Sequence, residues 1–345
     1  MKYLNDRNRK TDTNEIDSRK QPLWYSGRYF DYPLFGIVLG LVLFGLVMVY
    51  STSSYRADEL YGDSTYFAKR QLVFELVALV GMFLVSKIDY RRYARYSKYF
   101  LYVAIALLVL VYIIGSASHG STRWIYIGAF GFQPSEFAKL ALIVYTADIC
   151  TRKPRSLNTI KGLAKMLLLP LITIVLIAIE NLSTAIICFG IVMIIVFVAS
   201  PKNWHFILMG VLGILMCVVF IATAGYRADR IRIWLAPEKY DDGYQTMQSL
   251  YAIGSGGFFG RGLGNSIQKM GFIPESHNDM IFSVICEELG LFGAVLTIIM
   301  FILLIYRCTV LAINSGDRFG GLIAVGVMAH IAVQVLINIL SLIHI

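Results

Sequence analysis

Along nearly the whole chain, long unbroken runs of apolar residues alternate with short charged segments. A hydrocarbon core about 30 Å thick takes roughly 20 mainly apolar helical residues to cross. The pattern therefore predicts nine helical spans, near 33–51, 70–87, 99–116, 134–150, 163–180, 183–199, 204–223, 280–306 and 319–340. The opening stretch, "MKYLNDRNRKTDTNEIDSRKQPLWYSGRYF", breaks the pattern. It is polar, mixed in charge and lacks the apolar segment of a signal peptide, so 1–32 reads as a flexible cytoplasmic tail.

Basic residues in short connections set the expected orientation. They concentrate in the tail, in "KIDYRRYARYSK" after the second span and in "TRKPRSLNTIKG" after the fourth, with Lys202, Arg307 and Arg318 later. All fall on one side if the N-terminus is inside, which leaves 52–69, 117–133 and 224–279 outside. The last of these is far longer than the other connections, and long loops commonly carry function.

Composition narrows the class. Only 15% of residues are charged against 57% hydrophobic, where a soluble chain carries about a quarter charged, so a soluble globular protein is excluded. The net charge of +9 is spread over the tail and short loops, which favours a membrane surface over nucleic acid as partner. Cys150, Cys188, Cys217, Cys286 and Cys308 lie in or beside apolar runs without CxxC spacing, and indicate neither a disulfide framework nor a zinc site. The last six residues, "LSLIHI", match an in-frame reading of a transposon-adapter end used in sequencing libraries. Residues 340–345 are accordingly expected to be non-native, with the natural protein continuing past about 339.

Chemistry gathers at the expected outer ends of the spans. In "GFIPESHNDMIFSVICEELG", Gly271 to Gly290, two acids, Glu275 and Asp279, and a histidine crowd up to an apolar run. A helix starting near Asp279 puts that carboxylate where the helix dipole favours an anion, while the lipid boundary and Glu275 oppose it. Such a carboxylate suits proton abstraction; it equally suits an N-cap closing a transmembrane helix. His277 reads first as a polar loop residue. Glu287 and Glu288 follow about two turns on, and at least one at membrane depth must face protein, water or a cation.

In "STRWIYIGAFGFQPSEFAKLALIVYTADI", Ser121 to Ile149, Pro134 suits a first helical turn. Glu136 and Lys139 share a helix face and can pair, Asp148 lies near the inner end, and Arg123 with Trp124 reads as an interfacial anchor. Two readings stand: a snorkelling lysine in a structural ion pair, or a cationic groove in which Arg123 and Lys139 face the phosphate oxygens of an anionic lipid. A third group, Glu180 to Ala185, sets an acid, an amide and two hydroxyls at a tight outer turn, which a capped helical hairpin explains. "GRGLG", Gly260 to Gly264, has no βαβ unit around it and is rejected as a dinucleotide fingerprint.

Three motifs carry a resemblance: "RW…QPSEFAK" at 123–139, "YQTMQSLYAIGSGGFFGRGLGNSIQK" at 244–269 and "PESHNDMIFSVICEELG" at 274–290. Over about 33–339 the chain resembles the SEDS family of bacterial peptidoglycan polymerases (FtsW, RodA, SpoVE), nearest the FtsW/SpoVE branch. The resemblance implies an all-α polytopic bundle of ten spans, about nine of them present here, with a large extracellular loop before the eighth. It implies glycosyl transfer from lipid II outside the cytoplasmic membrane during division, with a class B penicillin-binding protein and other divisome proteins as partners. The family's essential aspartate falls on Asp279, and Arg123, Glu136, Lys139 and Glu275 match positions the family retains. Asn181 and Thr184, from the Glu180 to Ala185 group, and Gln248, Ser249 and His277, from the motifs, join these four as expected substrate-binding positions. The family commonly has Pro-Asp-Leu-Gly-Thr where this chain has Glu180 to Thr184. Either that acid is not catalytic, or Glu180 balances the amide at 181.

The expected reaction is an inverting transfer with Asp279 as general base, assisted by a divalent cation (Mg2+ or Mn2+) with unassigned ligands and by no organic cofactor. A lipid II flippase without bond chemistry, and a structural divisome scaffold, are the alternatives.

Overall fold

The computed structural model describes residues 30–114, 116–118, 121–127, 130–202, 204–222, 232–233, 235–240, 243–273 and 276–343. The expected tail up to residue 29 and Glu275 lie outside the described residues. Every expected span is helical: α1 (Tyr32–Tyr61), α2 (Tyr66–Ser86), α3 (Arg91–Ile114), α4 (Pro134–Arg152), α5 (Ile160–Glu180), α6 (Leu182–Ala199), α7 (Trp204–Ala222), α9 (Ile281–Ile313) and α10 (Arg318–Ile343). A shorter α8 (Tyr244–Ser255) lies in the long connection. Six of them, α1, α3, α5, α6, α9 and α10, are long and apolar enough to cross a membrane on their own composition. Helices α2 and α4 fall short because each carries three charges in its apolar stretch, Lys69, Arg70 and Glu75 in one and Glu136, Lys139 and Asp148 in the other.

Those charges do not push α4 outward. It lies at the centre, packed against α3, α6 and α10, with Ala138, Ala141 and Ala147 buried along its length. Small residues let helices approach closely where lipid offers no hydrophobic drive for association. The α1–α2 hairpin is peripheral. Helix α2 buries no residue, and the hairpin joins the bundle through α1 against α9.

At the face where α1 begins, side chains staple neighbouring helix ends together. Arg307 reaches Asp31 at 2.6 Å, Arg318 donates to the Ala199 carbonyl, and the Tyr90 hydroxyl and Arg91 both donate to Asp317. Partial burial pushes the Asp317 carboxyl up, but the Gly320 N–H, Tyr90 and Arg91 outweigh it and hold the group below its usual value. The Tyr90 hydroxyl is pushed up to about 12, by burial first and then by Asp317. A carboxylate lowered in the fold contributes stability above its unfolded value and loses it as pH falls through the folded one. Asp317→Asn should therefore lower the melting temperature most at pH 6 and above, and flatten its acid limb so that the two proteins converge as pH falls.

Two expectations are corrected. The segment 117–133, expected as a loop, carries a three-stranded antiparallel sheet of β1 (Ser116–Ser118), β2 (Ser121–Ile127) and β3 (Phe130–Phe132), with Ser118 opposite Ser121 and Tyr126 opposite Gly131. The β-branched and aromatic residues of "STRWIYI" suit a pleated surface. The eighth span, expected as a helix near 280–306, is not continuous: it breaks at Gly290, whose φ of 66° and ψ of −161° leave the helical region.

Candidate active site

A break inside a membrane helix exposes backbone groups that only protein can satisfy. Here the segment after α8 supplies the partners. Arg261 and Gly262 donate their N–H groups to the carbonyls of Glu287 and Glu288, each at 2.9 Å. Leu291 and Phe292 donate to the carbonyls of Gly257 and Phe258. The two backbones meet so closely that a Cβ on Gly260 would stand 2.1 Å from the Glu288 oxygen.

The clasp is completed by two carboxylates, both fully buried. Glu287 accepts from the Ser266 hydroxyl and from the Ile267 and Gln268 N–H groups, with Arg261 3.6 Å away. Glu288 pairs with Lys269 at 2.7 Å and accepts from Ser51 on α1. Lys269 also donates to the Ser51 oxygen at 3.2 Å. The acids expected to need protein, water or a cation thus face protein and a buried lysine.

Between this clasp and the end of the loop lies the turn 276–280. Ser276 donates to the Thr52 carbonyl of α1 at 3.1 Å, and the His277 ring lies 4.9 Å from that of Phe67 on α2. Met280, not Asp279, occupies the N-cap of α9, and no side chain caps that end. The N-cap reading of Asp279 is therefore not the arrangement found. Asp279 is exposed and makes no hydrogen bond or ion pair among the described residues. Ser249 is buried; its hydroxyl donates to the Gln245 carbonyl and lies 3.2 Å from the Met280 sulfur, so it docks α8 against the start of α9. Gln248 is half-buried on α8.

The remaining expected positions sit at the same end of the bundle. Pro134 opens α4, and Lys139, 3% exposed, holds the mostly exposed Glu136 at 2.8 Å. That burial rules out snorkelling: the ammonium is tucked inside the bundle. Asn181 caps α6 by accepting from the Thr184 N–H at 3.2 Å, as the capped-hairpin reading requires. Gln133, Ser135, Glu180 and Asn181 line one small recess, so the second and third sequence groups meet. Of Arg123, the backbone is described, in β2. Asn181→Ala should cost about 1 kcal/mol of stability through the lost cap, read as a lower melting temperature; a substrate role would appear separately as a raised KM.

The family described as "Cell cycle protein", grouping FtsW, RodA and SpoVE, matches residues 32–345. The chain belongs to the FtsW/RodA/SpoVE family. Among its relatives, stage V sporulation protein E of Bacillus subtilis (strain 168) is 38% identical over 309 residues, 88% of this chain and 84% of that protein. A probable peptidoglycan glycosyltransferase FtsW of Trichlorobacter lovleyi is 37% identical, over 90% of this chain and 83% of its own. A chain from a peptidoglycan synthase complex, solved to show structural coordination of polymerization and crosslinking, superposes with a TM-score of 0.76 at 26% identity, covering 92% of this chain and 89% of its own. The rod shape determining protein RodA of Thermus thermophilus shares the fold, with a TM-score of 0.65 over 92% of this chain and 86% of its own. As a member of the FtsW/RodA/SpoVE family with these spans, the chain is a multi-pass membrane protein.

Sequence reading missed Ser51, Ser266 and Lys269. A signal existed for Lys269: two acids set in an apolar run demand a cation, and the nearest lysine upstream closes "GLGNSIQK". Ser51 stood in a polar run of four, "STSS", at the end of an apolar run, but nothing local pointed it at α9.

Proposed function

We propose that this protein is a peptidoglycan glycosyltransferase that polymerises lipid II into glycan strands on the outer face of the bacterial cytoplasmic membrane during cell division. The N-terminus is cytoplasmic, the 224–279 connection extracellular and the septum the working location. The observation that carries the reading is Asp279, an exposed carboxylate without a partner among the described residues, on a turn held from below by α1, α2 and the clasp. A general base must be open to its substrate and fixed in place, and this carboxylate is both. The Trichlorobacter lovleyi relative, a probable peptidoglycan glycosyltransferase, points to the same chemistry.

In the proposed reaction Asp279 takes the proton from the 4-hydroxyl of an acceptor lipid II. The freed oxygen attacks the anomeric carbon of the growing strand, and the bond from that carbon to the lipid diphosphate breaks with inversion. Arg123 and Lys139 offset the charge that develops on the diphosphate; for Lys139 this means exchanging the Glu136 carboxylate for a phosphate oxygen. Glu136, Asn181, Thr184, Gln248, Glu275 and His277 are proposed to shape substrate binding around these groups. Ser249 acts beneath them by seating Met280.

A divalent cation bound beside the diphosphate would supply further charge neutralisation. Mg2+ binds through one or two carboxylates together with substrate phosphates and keeps several waters. The site fits such a weakly held, shared ion: Glu136 is a mostly exposed carboxylate beside Lys139, one of the groups proposed to face the diphosphate. A class B penicillin-binding protein is the proposed partner, consistent with the fold shared with a synthase-complex chain.

The test is purified full-length protein with lipid II, divalent cation and the penicillin-binding partner, wild type beside Asp279→Asn. Oligomeric glycan from wild type alone supports the reading. Lipid II moved between leaflets with no glycan formed would replace it with a flippase.

A further inference from the structure

We propose that the Lys269–Glu288 pair, bridged by Ser51, is a positioning device for Asp279. It locks the outer end of α1, the 256–273 loop and the first turns of α9 into one unit on which the catalytic turn rests. The inference deepens the glycosyltransferase reading and depends on it for the word catalytic, though not for the positioning itself.

Lys269 is 3% exposed and Glu288 fully buried. Charges in such a place are a weak source of stability, because desolvation offsets most of their attraction, and apolar residues would serve as well. What the pair gives is registry. Ser51 donates to both Glu288 oxygens, at 2.8 and 2.6 Å, across 237 positions of sequence. It accepts from Lys269 across 218 positions. Three segments that local sequence cannot align are thereby brought to one point.

The next residue of α1 extends the device. The Thr52 carbonyl accepts from Ser276, three positions before Asp279. On the other side, α9 begins at Ile281 and is fixed by Glu288 two turns on. Asp279 is thus strung between two anchors that both refer to one turn of α1. Glu287 adds the third constraint by holding the Ser266–Gln268 backbone. Lys269 and Glu288, being buried, touch no substrate and act only through where they hold the turn.

The experiment uses the full chain in lipid nanodiscs, with Lys269→Met, Ser51→Ala and the double variant Lys269→Met/Glu288→Gln. Two quantities are read for each: kcat and KM for lipid II polymerisation per folded molecule, and the electron paramagnetic resonance mobility of a nitroxide on Asp279→Cys. Lys269→Met leaves a carboxylate buried without its cation, so kcat should fall at least about tenfold with KM within about twofold. The label should gain a mobile component. The double variant removes both charges and keeps a side chain for Ser51 to bond; it should recover kcat to within about threefold of wild type and restore the immobile label. Ser51→Ala keeps the ion pair and should fall between these two, which preserves the test if Lys269→Met fails to fold.

A merely structural pair would lower the yield of folded protein and leave kcat per folded molecule and label mobility unchanged in Lys269→Met and in Ser51→Ala; that result overturns the proposal. If the unsubstituted protein makes no glycan yet the label loosens and recovers as described, the glycosyltransferase reading fails while the positioning of residue 279 stands.

Discussion

Asp279→Asn should abolish strand formation, lowering lipid II polymerisation by about 10²–10⁴-fold, the usual contribution of a positioned general base. The amide has the carboxylate's shape and can accept no proton at neutral pH. Because Asp279 is exposed and bonds to nothing else in the described fold, the substitution should leave the melting temperature and KM near wild type. Combined loss of kcat and retention of fold is the signature of an interaction made only in the transition state. Gel separation of glycan products, with detergent melting of the same preparation, measures both. Undiminished strands from the variant would remove Asp279 from the base role.

The second large effect concerns backbone, not chemistry. Gly290→Ala should cost at least about 3 kcal/mol, combining a strained φ/ψ with a clash that cannot relax. At φ 66° and ψ −161° the position is closed to L residues in practice. Its Cβ would also stand 2.3 Å from the Gly260 nitrogen and 2.6 Å from the Phe258 oxygen. Both obstacles are main-chain atoms of the clasp, so neither can swing aside as a side-chain tip would. Gly264→Ala is the control: φ is +85° there too, but nothing lies within 4 Å of the new Cβ. It should cost only about 1–2 kcal/mol. Thermal melting in detergent, with limited proteolysis of the 256–273 loop, separates the two; equal costs would mean that the close approach of the backbones is not what the clasp depends on.

Much of this molecule is local and therefore legible. The spans follow from run length, the opening of α4 from Pro134, and the Glu136–Lys139 pair from a spacing of three. The start of α6 follows from an amide beside hydroxyls. Each depends on residues within one turn of each other, where sequence order and spatial order agree. The 116–132 sheet was not legible, since strands of three residues carry too little alternation to stand out. Nor was the fate of the long connection, much of which docks against α9 as structured backbone.

What the sequence by itself determined is the set of membrane-crossing helices, the crowding of acids at one bundle end and the candidacy of Asp279. A bilayer penalises polar backbone and charge at every position alike, and that penalty is written residue by residue. What only the tertiary structure decided is how the exceptions are tolerated: which lysine meets Glu288, which hydroxyl bridges them, and which backbone closes the gap at Gly290. Those partners lie from 19 positions away, for Lys269, to 237, for Ser51, and a buried charge or open carbonyl specifies only that it must be met, never by whom.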